Sequence, residues 1–153
     1  MELQQILSAE RVHCDANIHS KKRALEKLSE LIASSQTEVT ELGICQSLIE
    51  RERLGSTGLG HGVAIPHGRT QSSGATLGAF IKLKTPIDYD AIDKAPVDLL
   101  FALCIPQQCE GDHLHLLSLV AQMFSDKPFC EKIRAIEDDA LLFQALLEWR
   151  PQS

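Results

Sequence analysis

The chain has 153 residues, 44% of them hydrophobic and 24% charged, which suits one domain large enough to bury a core. A formal net charge of −6 argues against a nucleic-acid binder, because gripping a phosphate backbone needs a basic surface. The opening MELQQILSAERV has neither a basic n-region nor an apolar h-region, and the longest apolar run, Leu99 to Ile105, is far too short to span a bilayer, so neither a signal peptide nor membrane insertion is expected. Five scattered cysteines (Cys14, Cys45, Cys104, Cys109, Cys130) are odd in number and lack paired zinc spacing. They read as free thiols in a reducing cytoplasm.

In chain order, Leu3, Ile6 and Leu7 allow a short helical turn, and Val12 and Cys14 alternate with polar neighbours as in a brief strand. Ser20 is a good cap for a helix to about Ser34, with Leu25, Leu28, Leu31 and Ile32 on one face. The trio Lys21-Lys22-Arg23 opposes the dipole of that first turn, so it is open to a partner, although a solvated face is the commoner use. Thr40 or Thr37 opens a second helix, with Leu42, Cys45, Leu48 and Ile49 inward and a glycine stop at Leu54-Gly55. Arg51 and Arg53 ride its last turn.

A strand over Gly62–Pro66, a turn over Thr70–Gly74, a strand over Leu77–Leu83 and a turn at Thr85-Pro86 follow. Val97 to Ile105 is the most apolar strand and is expected at the centre of a sheet covered on both faces. After a loop over Pro106–Asp112, Asp112 caps a helix to about Phe124. Asp126 with Pro128 opens another, and Asp138-Asp139 opens the last, with Leu142, Ala145, Leu146 and Trp149 inward. This interleaving is that of one α/β domain across residues 1–153.

The chemistry concentrates in IERERLGSTGLGHGVAIPHGR, Ile49 to Arg69. Gly55, Gly58, Gly60 and Gly62 loosen the backbone, and Val63-Ala64-Ile65 reads as a short buried strand that Pro66 and His67 end. Gly68 then lets the chain turn away. A histidine beside a proline is usually structural, but here it sits at a strand end beside a glycine-rich loop, where α/β proteins keep reactive groups. A neutral imidazole offers a nitrogen lone pair near neutral pH, so His67 is expected to be a nucleophile that carries a phosphoryl group. Loop amides about Gly58, the hydroxyls of Ser56 and Thr57, and the guanidinium of Arg51 are expected to neutralise the transferring group, with Gly68 adjoining. The loop is neither a Walker A loop nor a dinucleotide fingerprint, so no nucleotide or other cofactor is implied. His61, His67, His113 and His115 lack close carboxylate or cysteine partners, so no metal is expected.

His113 and His115 stand about 200° apart on a helix. His113 shares the face of Leu116, Leu117, Val120 and Phe124, whereas His115 shares that of Ser118 and Gln122. His113 is therefore the one expected to point toward the strand ends.

The string from Glu52 through Leu59-Gly60-His61-Gly62-Val63-Ala64-Ile65-Pro66-His67-Gly68 resembles the active-histidine signature of the mannitol/fructose-type enzyme IIA proteins of the bacterial phosphoenolpyruvate-dependent phosphotransferase system. Gly55-Ser56-Thr57-Gly58, PVDLLFALCIP from Pro96 and HLHLLSLVA from His113 look most like the nitrogen-related branch. The likeness runs from about Val12 to Glu148. It implies a mixed sheet of about five strands flanked by helices, and a phosphotransferase component in which His67 is phosphorylated, with Arg51 in the site and His113 as its second histidine. It also implies an HPr-like phosphocarrier as donor and regulatory targets such as potassium transport or sensor proteins. A weak homodimer stays open. No IIB or membrane IIC component is joined to this chain, which fits a regulatory role. A sugar-specific IIA that relays phosphate to a separate IIB, and an interaction module that is never phosphorylated, are the alternatives.

Overall fold

The computed structural model describes residues 2–34, 39–71, 74–107 and 112–151. Helix α1 (Leu3–Ile6) leads through a 3₁₀ turn into β1 (Val12–Ala16), and α2 (Lys21–Ser34) and α3 (Glu41–Arg53) follow. The strands β2 (Gly58–Gly60), β3 (Val63–Ala64), β4 (His67–Thr70), β5 (Leu77–Ile87) and β6 (Val97–Pro106) come next, and α4 (Asp112–Ser125), α5 (Lys127–Ala135) and α6 (Asp139–Glu148) close the chain. Side-chain caps start several of these helices. Ser20 Oγ accepts from Arg23 N–H at 3.2 Å, Thr40 Oγ1 from Gly43 at 3.0 Å, Asp126 from Phe129 at 3.1 Å and Asp138 from Leu141 at 2.9 Å. The alternative cap Thr37, the side chain of Asp112, Cys109 and part of the turn after Thr70 lie outside the described residues.

Among the described residues the sheet has six strands in the order β1-β5-β6-β3-β2, with β4 also on β6. β5 and β6 run antiparallel, while β1 is parallel to β5 and both β3 and β4 are parallel to β6. The period of two along β6 explains its central place. Leu99, Phe101, Leu103 and Ile105 face α4, α5 and α6, and Leu100, Ala102 and Cys104 face α2 and α3. On the first face Phe80, Phe101 and Phe124 form a ring cluster with centroids 5.7–6.2 Å apart.

Four expectations are corrected. The stretch Gly62–Pro66 is not one strand: β3 stops at Ala64 and β4 begins at His67. Pro66 has no N–H to donate, so the ladder breaks there for a step, while its carbonyl still accepts from Leu103 N–H at 3.0 Å. His67 thus opens a strand rather than ending one, and with the short β2, inside the stretch expected to be a glycine-rich loop, it completes a mixed sheet of six strands flanked by helices.

Gly68 makes no turn. It lies inside β4, where a Cβ would collide with the Ser47 hydroxyl and come within 3.0 Å of the Ser47 carbonyl carbon on α3. Nor does Thr85-Pro86 turn the chain, since β5 runs on to Ile87 past a shift in pairing. On α3 the buried residues are Ile44 and Leu48, with Cys45 and Ile49 only partly covered and Leu42 68% exposed. The helix meets β4 through Ser47, a polar residue that apolar periodicity does not count.

The approach of β4 to α3 yields a stability test. Gly68→Ala should cost about 1–3 kcal/mol, the usual range for forcing a methyl into a packed contact. The measurement is the midpoint of urea unfolding at unchanged slope. A midpoint equal to wild type would mean that the two elements have room to part.

Candidate functional site

Where β4 runs beside the end of β6, a cavity of about 430 Å³ opens between α3, β4 and α4. Arg51 and Leu54 reach it from the end of α3, His67 and Arg69 from β4, and His113 and Leu114 from the first turn of α4. His67 is half-buried, and its Nδ1 lies 2.9 Å from the carbonyl oxygen of Ile65. A carbonyl can only accept, so Nδ1 carries the proton, and the lone pair of the neutral ring is on Nε2. Burial pushes the pKa of His67 below its ordinary value; the Ile65 hydrogen bond and the Glu52 charge oppose this, and Arg51 and His113 add to it. The result is an imidazole biased toward its neutral form, with its tautomer fixed by the backbone and its free lone pair on Nε2.

Arg51 donates from Nη1 to the Gly55 carbonyl at 2.9 Å, which ties its guanidinium to the loop beyond its own helix. Arg69 was not singled out in the sequence. It donates from Nη1 to the Gln107 carbonyl at 3.2 Å, and its Nη2 sits 3.1 Å from both ring nitrogens of His113. His115 is exposed and faces a separate depression with Leu119 and Trp149. His61 lies on a turn with φ of 56°, exposed, its N–H donating to Asp93 at 2.9 Å.

Of the residues expected to bind phosphate, Gly68 lines this cavity while Ser56, Thr57 and Gly58 do not. Thr57 is buried, and both its N–H and its hydroxyl donate to the Glu52 carboxylate. Ser56 Oγ accepts from Gly58 N–H at 3.1 Å and lies 3.3 Å from the Tyr89 carbonyl, and Gly58 is already in a strand. These donors are committed inward.

Glu52 and Tyr89 are the polar centre that the sequence reading missed. The Glu52 side chain is only 5% exposed, and Tyr89 is fully buried and donates its hydroxyl to Glu52 at 3.0 Å. Lys21 pairs with the same carboxylate at 2.9 Å and lies 4.5 Å from the Tyr89 ring centroid. Burial and the Glu52 charge push the Tyr89 phenol up, so it stays a donor. Lys21 therefore leaves the basic trio of α2 to serve an internal pair. The signal available in the sequence was a lysine placed against its own helix dipole, and Glu52 at the head of the signature.

Among the described residues no three His, Cys, Asp or Glu side chains gather as a metal site, and no helix is long and apolar enough to cross a membrane. Burial raises the thiol pKa of Cys104 and Cys130, which keeps them protonated.

Removing the Glu52 carboxylate should uncouple this centre. Glu52→Ala strands a buried hydroxyl, a buried phenol and the Lys21 ammonium, and a loss of about 3–5 kcal/mol is expected from breaking such a pair on one side. Thermal or urea unfolding measures it. A loss under about 1 kcal/mol would show that water replaces the carboxylate without cost.

Residues 5–149 match the family model described as the phosphoenolpyruvate-dependent sugar phosphotransferase system, EIIA 2. The chain is 44% identical over 153 residues to the nitrogen regulatory protein of Escherichia coli strain K12, an alignment that covers 97% of this chain and 91% of that one. Its structure is similar to that of nitrogen regulatory protein IIA-Ntr from Neisseria meningitidis, with a TM-score of 0.87, 37% identity, and coverage of 93% of this chain and 97% of that one. The IIA mannitol protein of Escherichia coli shares the fold at a TM-score of 0.76 and 17% identity, over 92% of this chain and 98% of that one.

Proposed function

The chain belongs to the EIIA type 2 family of the phosphoenolpyruvate-dependent phosphotransferase system, in its nitrogen-regulatory branch, and from that premise we propose that His67 accepts a phosphoryl group on Nε2 from an HPr-like phosphocarrier. The observation that carries the reading is the fixed tautomer: Nδ1 donates to the Ile65 carbonyl, which leaves Nε2 as the nucleophile. The phosphorus–nitrogen bond to the donor's histidine ring breaks, and its electron pair returns to that ring. The Nε2 lone pair forms the new bond to phosphorus. The proton remains on Nδ1 throughout, so no base is needed.

As the bond forms, the His67 ring gains positive charge and its Nδ1–H becomes a stronger donor to Ile65. That hydrogen bond is thus tighter in the transition state than before it, which is the condition for accelerating a step. Arg51 supplies charge to the phosphoryl oxygens, and His113, at the start of α4, offers a ring nitrogen on the same side of the cavity. The phosphorylated and unphosphorylated forms then differ in their binding to regulatory targets in the cytoplasm, potassium transport or sensor proteins among them.

Incubation of the chain with phosphoenolpyruvate, enzyme I and HPr-type proteins tests the reading. A gain of one phosphoryl group by mass, stable in base and lost in acid, is expected, and His67→Ala should abolish it. Labelling of the alanine variant at the wild-type rate would remove His67 from the role. Arg51→Ala should slow the gain by roughly 10²–10³-fold and Arg51→Lys by less, because lysine keeps the charge and loses the fork. An unchanged rate in the alanine variant would take Arg51 out of the site.

The depressed pKa of His67 sets a pH dependence. An ordinary histidine is half-protonated at pH 6.5, whereas His67 titrates lower and stays nucleophilic there. Acceptance at saturating donor should therefore fall toward acid pH with its midpoint below pH 6.5. As pH falls through 6.5 toward the lower folded-state value, the unfolded chain binds more of this proton than the folded chain does, so the contribution of His67 to stability is full above pH 6.5 and shrinks as pH falls. An imidazole titration by NMR with its midpoint at or above 6.5 would contradict both statements.

A further inference from the structure

We propose that Arg69 is a second phosphoryl clamp, one that exchanges its contact with His113 for the phosphoryl group on His67. The proposal rests on His67 being the phosphorylated residue and adds a role that the sequence pattern does not mark.

Three observations lead to it. His67 and Arg69 stand two apart on β4, so their side chains leave the same face of the strand, and both line the same cavity. Arg51 enters that cavity from α3, so the two guanidinium groups approach from different elements. The base of the Arg69 side chain is held still. Its carbonyl accepts from Ser47 Oγ at 2.7 Å, Gly68 before it packs directly on Ser47, and residues 67–70 are in register with Leu103 through Pro106 of β6. A flexible side chain on a fixed base can change partner without moving the strand.

The contact with His113 is of a kind that yields readily. Nη2 is equidistant, at 3.1 Å, from the two ring nitrogens. An atom in the ring plane at those distances would overlap the carbon between the nitrogens, so the guanidinium lies over the ring face and makes no well-directed hydrogen bond there. A phosphoryl group offers three anionic oxygens to the same fork, and charge-assisted bidentate bonds outweigh both the contact over the His113 ring and the longer bond from Nη1 to the Gln107 carbonyl. On phosphorylation the fork turns to the phosphoryl oxygens and releases the His113 ring, whose nitrogen is then free to donate to the same group. Arg51 alone would leave one side of a dianion facing the cavity unpaired; Arg69 closes that side. In the transfer itself the phosphorus–nitrogen bonds break and form as described above, and Arg69 takes part only through its charge and its N–H donors.

The experiment uses the full chain phosphorylated by the phosphocarrier chain of proteins, with Arg69→Gln and Arg69→Lys beside wild type and His67→Ala. Three quantities are read: the rate of phosphoryl gain, the half-life of the phosphohistidine, and the ³¹P chemical shift. Arg69 is exposed, so the fold should survive substitution, and an amide NMR spectrum checks this. Arg69→Gln should slow the gain roughly 10²-fold, as losing one preorganised donor does, shorten the half-life and move the ³¹P resonance. Arg69→Lys should recover part of the rate and leave the resonance displaced, since a lysine lacks the planar fork. A purely structural arginine would move neither the half-life nor the resonance. Wild-type rate, half-life and ³¹P shift in Arg69→Gln would overturn the clamp while leaving His67 as the acceptor. Uptake of phosphate by His67→Ala, or none by wild type, would instead sink the phosphohistidine reading and the clamp with it.

Discussion

The site depends on how closely β4 can lie on α3. Gly68 allows the strand backbone to press on Ser47, and the Ser47 hydroxyl then reaches the Arg69 carbonyl. That one approach sets the separation of the groups on either side: His67 and Arg69 are carried by the strand, and Arg51 by the helix one turn beyond Ser47. Even one methylene at position 68 would wedge the two apart, and phosphoryl transfer, which relies on positioning more than on covalent chemistry, is sensitive to displacements of about 1 Å. Pairing of β4 with β6 fixes the remaining direction. The His67 ring is thus placed by backbone contacts, down to the Ile65 carbonyl that holds its Nδ1.

The C-terminal end of α3 is also held from inside. Glu52 is the residue after Arg51, and it gathers Lys21 from α2, Thr57 from the loop and Tyr89 from the β5–β6 connection. A carboxylate so deeply buried is tolerable because it is fully paired, and its network ties four segments that apolar packing alone would leave free to slide. One consequence is that the glycine-rich stretch turns its donors toward the protein. The positive charge in the cavity then comes from side chains, Arg51 and Arg69, and the glycines serve close packing and tight turns.

Much of this was legible in the sequence, and the failures are instructive. The caps at Ser20, Thr40, Asp126 and Asp138, the two-faced strand over Val97–Ile105 and the face of the last helix could be read because each is a local rule of spacing or hydrogen bonding. The 200° between His113 and His115 was enough to send one to the cavity and the other away from it. What failed was non-local. Pro66 and His67 looked like a stop, since a proline ends a ladder, yet β6 accepts a second parallel segment after the break. Gly68 looked like a turn, because nothing in the chain says that Ser47, on the helix before it, will press on it. Arg69 was hidden by the same error: a residue two beyond His67 matters only if the strand continues. Thr57 and Ser56 have the right groups for an anion, and only the buried Glu52 explains where those groups point.

The chain as a whole is acidic, with a net charge of −6, yet its cavity gathers two arginines and two histidines against one carboxylate, Glu50. Around that cavity stand exposed apolar side chains, Leu54 at 84% and Leu114 at 65% exposure. An apolar rim about a charged centre separates two tasks. The rim contributes contact area to whatever docks there, in the same amount whether or not the centre carries phosphate. The centre contributes sign: Arg51 and Arg69 against Glu50 leave it about one charge positive with His67 bare, and a phosphoryl group of about two negative charges would turn it about one charge negative. Because the field inside a cavity is screened less than one on an open surface, a partner's group that enters it meets most of that change, while groups beyond roughly 10 Å meet little. On the proposed reading, phosphorylation of His67 would reach a docked partner without any movement of the backbone, provided that the partner places a charge over the cavity.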